Sequence, residues 1–132
     1  MATTAPAALY EVGPTNPCRR ISDVPWTNVG PGDVVLIHWR ETPYFEKWVL
    51  CRQGASNAPI VVRGVPNRFG ELPVIDGNGA VNCSNLNFWG EERGVIKIGG
   101  ANTPSDLLPA HIVLENLDIR GGRAPAADLH RR

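Results

Sequence analysis

HIVLENLDIRGG, residues 111–122, alternates apolar and polar positions as a half-buried strand does, yet the alternation changes phase in its middle. Ile112 and Leu114 share one parity, Leu117 and Ile119 the other. Side chains along a strand have a period of two, so an unbroken strand would throw one pair onto the wrong face. One residue in the left-handed region, with one inserted position, turns the chain through a corner and brings the second pair back inward. Asn116 tolerates that conformation. The rival is a hairpin with Glu115-Asn116 as its two-residue turn. Type I′ turns need positive φ at both central residues, and Glu suits the first place poorly. The corner is the better expectation, and it points Ile112, Leu114, Leu117 and Ile119 all inward.

Two other stretches carry the same signature. Ile60-Val61-Val62-Arg63-Gly64-Val65 and Ile96-Lys97-Ile98-Gly99-Gly100-Ala101 superimpose on Ile112-Val113-Leu114-Glu115-Asn116-Leu117. The fifth position holds Gly64, Gly100 or Asn116, all tolerant of positive φ, which is the expected conformation at Gly64 and Asn116. A recurring corner winds a chain into a coil whose turns stack as parallel sheets. The copies are unevenly spaced, so loops of varying length leave the coil between them.

Further apolar runs lie at Val34-Val35-Leu36-Ile37, launched by the turn Pro31-Gly32-Asp33, at Trp48-Val49-Leu50-Cys51 and at Pro73-Val74-Ile75. Fourteen glycines and twelve prolines punctuate the chain, and long helical periodicity is missing. The one helical signal is a turn near Ser22-Asp23, stopped by Pro25. The expected class is all-β. Residues 1–31 form an N-terminal tail and cap, 32–122 the opening coils, and 123–132 a polar tail at a truncated end.

At 132 residues the chain makes one domain with a real core. Thirteen basic and thirteen acidic residues cancel, which excludes a global field for nucleic acid or an anionic membrane. No apolar run approaches the length of a membrane span. The start MATTAPAALYEVGP lacks the basic and apolar regions of a signal peptide, leaving an intracellular chain or one whose leader has been removed. Cys18, Cys51 and Cys83 form no CxxC pair and read as buried small hydrophobes. Asn82-Cys83-Ser84 is formally a glycosylation sequon.

The order GDVVLI (32–37), APIVVRGV (58–65), ELPVIDGNGAV (71–81), GVIKIGG (94–100) and HIVLENLDIRGG resembles the N-terminal entry into the right-handed parallel β-helix of the pectate-lyase-like superfamily. It is similar in particular to the first coils of the chondroitinase B and alginate lyase type, and to right-handed β-helix repeat-containing proteins. The resemblance spans about residues 30–122. It implies an extracellular or periplasmic protein whose partner is an acidic polysaccharide, with calcium as a possible cofactor of the parent and none in this segment. In such lyases the catalytic Lys and Arg and the calcium carboxylates lie on later coils, so no catalytic residue carries over and the segment alone should be inactive. Its last coil should present a bare edge through which copies self-associate. Two other readings stay open: a non-catalytic adhesin or tailspike shaft, and a carbohydrate-binding β-sandwich.

β-Elimination at a uronate needs a cation on the carboxylate and a base near the sugar proton. Lys97, Arg63, Glu115 and Arg120 are the candidates. Aligning the repeats puts Val61, Lys97 and Val113 in one column and Arg63, Gly99 and Glu115 in another, neither a charged cluster, so these residues read as a solvated face. Asp76-Gly77-Asn78-Gly79 hints at a calcium loop but lacks its further oxygen ligands, and reads as a turn. His38, His111 and His130 have no second ligand at metal spacing. Trp26, Trp39, Trp48 and Trp89 could stack on sugar rings or pack a cap, and packing is the expectation. Glu91-Glu92-Arg93 reads as a solvated loop.

Overall fold

The computed structural model describes residues 7–83, 94–99 and 108–122. Their strands are β1 (Leu9–Val12), β2 (Val34–His38), β3 (Glu46–Leu50), β4 (Ile60–Val65), β5 (Val74–Asp76), β6 (Val81–Asn82), β7 (Ile96–Ile98), β8 (Ile112–Glu115) and β9 (Asp118–Arg120). Only two 3-10 turns, Ile21–Asp23 and Trp26–Asn28, interrupt them, the first at the helical signal before Pro25. The described chain is all-β, and no helix in it is long and apolar enough to cross a membrane.

Every ladder between these strands is parallel. One sheet has the order β1-β2-β4-β8, a second pairs β5 with β9, and a third has the order β6-β3-β7. Tyr44 joins the second sheet through a parallel bridge to Ile75. The chain therefore passes from the first sheet (β2) through the second (Tyr44) to the third (β3), repeats the circuit through β4, β5, β6 and β7, and begins again with β8 and β9.

Two copies of the signature stack as expected, with Ile60 beside Ile112, Val62 beside Leu114 and Arg63 beside Glu115. The third copy does not. Ile96-Lys97-Ile98 runs beside Trp48-Val49-Leu50 in another sheet, so Lys97 and Gly99 leave the columns assigned to them. The signature marks an apolar strand approaching a bend, and any of the three sheets offers such a place. The other neighbour of β4 is β2, with Val34 beside Val61. β1, which falls inside the expected tail and cap, is a full strand on β2.

Asn116 has φ 58° and links β8 to β9, which belong to different sheets, so no hairpin forms there. Gly64 departs from expectation: it lies within β4 and is not among the positive-φ residues. It is Gly for room. A Cβ at this position would overlap the Asn116 carbonyl oxygen and lie 2.9 Å from Pro73 Cγ. His111, at φ 54°, is a left-handed residue with no sequence warning. Gly100 lies outside the described residues.

The core is built from inward residues of successive strands, Val35, Ile37, Ile60, Val62 and Ile75, closed by Ile21 from the first turn and by Val24 just after it. Trp26 and Trp48 are buried and stacked at 5.8 Å between ring centroids, as the packing expectation for the tryptophans requires. Each such side chain contributes about 1.5–3 kcal/mol through burial. Ile112, Leu114 and Leu117 pack against this core. Ile119 lies in register with buried Ile75 but is 45% exposed, because β9 has a strand on one side only among the described residues. Cys51 and Cys83 are buried and Cys18 is half-buried, and none of the three is in a disulfide.

Two buried carboxylates, neither marked by any motif, bind the N-terminal segment to the strands. Asp33 accepts from the Ala8 N–H (2.8 Å) and the Gly30 N–H (2.9 Å). Glu46 accepts from the Ile21 N–H (2.8 Å) and the Ser22 N–H (3.0 Å). Both charges are met by backbone donors, which is what a buried carboxylate needs.

Candidate functional site

The second sheet has an inner and an outer face. Ile75 is buried, so by parity Val74 and Asp76 face outward, and the register sets Asp118 beside Val74 and Arg120 beside Asp76. The bend after β2 and the segment before β5 rise around this outer face. Together they enclose a cleft of about 410 Å³.

Trp39, Pro43, Leu72 and Val74 give the cleft its apolar surface, and Trp39 is half-buried. Arg40 is a fixed wall. Its guanidinium lies 3.9 Å from the Tyr44 ring centroid, with Nε donating to the Thr42 carbonyl (3.0 Å) and Nη2 to the Pro43 carbonyl (2.9 Å). Tyr44 in turn is buried and donates its hydroxyl to the His38 carbonyl at 2.6 Å. Burial is the main cause that pushes the Tyr44 phenol above its ordinary pKa; Glu46 adds to the rise and Arg40 opposes it.

Arg120 donates to Asp118 through Nη2 at 2.5 Å and Nε at 3.3 Å. That hydrogen bond, then the charge of Asp118, hold the guanidinium above its ordinary pKa against desolvation, and Asp76 adds the least. Glu71 accepts from Asn67 Nδ2 at 2.9 Å, and Glu41 completes the acidic lining.

The other candidates are dispersed. Arg63 pairs with Glu115 at 3.3 Å across β4 and β8, so the second column is a cross-strand ion pair. Lys97 stands on the third sheet. His38 contacts Glu11 at 3.0 Å between β2 and β1, and His111 is exposed. Asp76-Gly77-Asn78-Gly79 is a turn in which Asp76 accepts from the Asn78 N–H (2.9 Å) and Gly79 has φ 71°. Among the described residues no three His, Cys, Asp or Glu side chains gather as metal ligands would. Trp89, His130 and Glu91-Glu92-Arg93 lie outside the described residues.

A second recess of about 280 Å³ lies between the first 3-10 turn and β6. Its carboxylates are committed to the backbone: Glu46 as above, and Asp23 to the N–H groups of Arg19 and Arg20. These carboxylates serve the fold.

Sequence reasoning singled out Arg120 and Trp39 but missed Arg40, Glu41, Glu71, Leu72 and Asp118 as their companions. No family model matches the chain, and no curated protein or solved structure matches it.

Proposed function

We propose that the chain forms the N-terminal cap and first coils of a right-handed parallel β-helix, in a carbohydrate-active protein that works outside the cell or in the periplasm. Support for the helix comes from the repeated circuit through three parallel sheets. The right-handed sense follows the strong preference of parallel crossovers. The parent's reaction, by the resemblance, is eliminative cleavage of a uronate-containing polysaccharide. This stretch contributes binding surface and the start of the stack.

The observation that carries the non-cutting role is the pairing of cations. Arg63 is matched by Glu115 and Arg120 by Asp118, so neither stands ready to neutralise a uronate beside an available base. The same pairing favours a second reading, a glycan-binding shaft without chemistry.

The test has two parts. Incubation with alginate, pectate and chondroitin sulfate should release no ultraviolet-absorbing unsaturated ends. Release would reveal an unrecognised site, with Lys97 and Arg63 the first substitutions. Electrophoresis through gels cast with each polysaccharide should show retardation in at least one. Free migration in all of them would overturn binding of an anionic polysaccharide by this stretch.

A further inference from the structure

We infer that the cleft on the second sheet selects a neutral sugar residue and rejects a uronate, and that Asp118 is the residue that sets this preference. The inference rests on the glycan half of the reading above and adds the class of residue taken at this place. A volume of about 410 Å³ falls at the small end of the ligand-pocket range, roughly 300–1,000 Å³.

The lining suits a pyranose. Trp39 and the aliphatic group of Leu72 and Val74 offer apolar surface to the C–H face of a ring, while Glu41, Glu71 and Asp118 accept from hydroxyls around its rim. Charge decides against a uronate. Two arginines against three carboxylates leave the lining a formal charge of −1. Neither arginine stands free. Arg40 spends two of its nitrogens on backbone carbonyls, and Arg120 is bonded to Asp118 with Asp76 also close enough to act on it. A uronate carboxylate would have to displace Asp118 from Arg120 and then sit beside the displaced charge. Asp118 thus holds in advance the position an anionic sugar would need.

The experiment uses the full chain and isothermal titration with neutral trisaccharides (cellotriose, mannotriose, xylotriose) and acidic ones (trigalacturonate, trimannuronate). At least one neutral trisaccharide should bind in the millimolar range, and neither acidic one should bind as tightly. Asp118→Asn keeps the shape but removes the charge and frees Arg120. It should strengthen binding of an acidic trisaccharide by about three- to tenfold, and weaken that of the neutral one, whose hydroxyls lose a charged acceptor. Trp39→Ala should abolish neutral binding. Tighter acidic binding by the unaltered chain, no neutral binding at all, or an Asp118→Asn variant with unchanged preference would each overturn the inference. Retardation by an anionic polymer that survives Trp39→Ala, with no neutral trisaccharide bound, would sink the cleft and leave the parent reading standing. Neutral binding at Trp39 without any polymer retardation would do the reverse.

Discussion

The Cα of Gly64 in β4 lies so close to the carbonyl of Asn116, at the bend after β8, that no β-carbon fits between them. The two residues hold the same place in the repeated signature but meet different needs. Asn116 supplies a left-handed backbone, and Gly64 supplies the space into which that bend is pressed.

Gly64→Ala should therefore lower stability by about 1–3 kcal/mol, the usual cost of overpacking. Gly30, which has open space around its Cβ position, provides the control. Gly30→Ala should leave stability unchanged or raise it by less than about 1 kcal/mol. Urea midpoints at constant slope measure both, and equal midpoints would refute the close approach.

At Asn116 the backbone, with φ 58°, is the constraint. Asn116→Gly should be close to neutral, whereas Asn116→Val should cost at least about 1–2 kcal/mol because a branched side chain clashes in the left-handed region. A valine variant as stable as the glycine one would show that no such corner exists.

Glu46 joins β3 to the first 3-10 turn through two backbone donors. Removing the acceptor in Glu46→Ala takes away the partner of the buried Ile21 N–H and should cost about 1–3 kcal/mol, with Glu46→Gln intermediate. The near-ultraviolet dichroism of the Trp26–Trp48 stack should weaken in step, since Trp26 donates its indole N–H to Ile21 in that same turn. An unchanged spectrum and midpoint in the alanine variant would remove Glu46 from the cap.

Thiol reactivity should separate the three cysteines. Cys18 is half-buried, and burial first, then Asp23, raises its pKa. Thiolate is the reactive form, so a raised pKa means slower alkylation near pH 8 and a rate still climbing where a free thiol has levelled off. Mass spectrometry of the native protein should find Cys18 alkylated, with Cys51 and Cys83 protected until denaturant is added. Rapid native labelling of Cys51 would contradict its burial.

Much of the strand content was legible because short apolar runs between Gly and Pro have few alternatives. The bend at Asn116 was legible from parity alone. The sheet to which Ile96-Lys97-Ile98 belongs was not, since an apolar strand approaching a bend satisfies any of the three. β1 was missed because Leu9-Tyr10-Glu11-Val12 is short and follows a small-residue lead, and only its pairing with β2 makes it a strand. Gly64 misled because one residue type answers both to dihedral freedom and to lack of space. The cleft was illegible for a topological reason. Trp39, Leu72 and Asp118 are far apart in sequence and become neighbours only when successive circuits stack. A single sequence carries no local mark of such a meeting.

Adjacent residues of β3, Lys47 and Trp48, pair with Asn82 and Ile96. One step along β3 thus moves the pairing fourteen positions (96 − 82) along the chain, from β6 to β7. Cys83 donates to the Lys47 carbonyl and Val95 accepts from the Trp48 N–H, so the register on β3 is set by residues up to Cys83 and from Val95 onward. Doubling a flexible connection costs only about 0.6 kcal/mol in closure entropy. Evolution or an engineer can therefore treat this point as a socket, accepting foreign sequence of many lengths while the layers above and below keep their alignment.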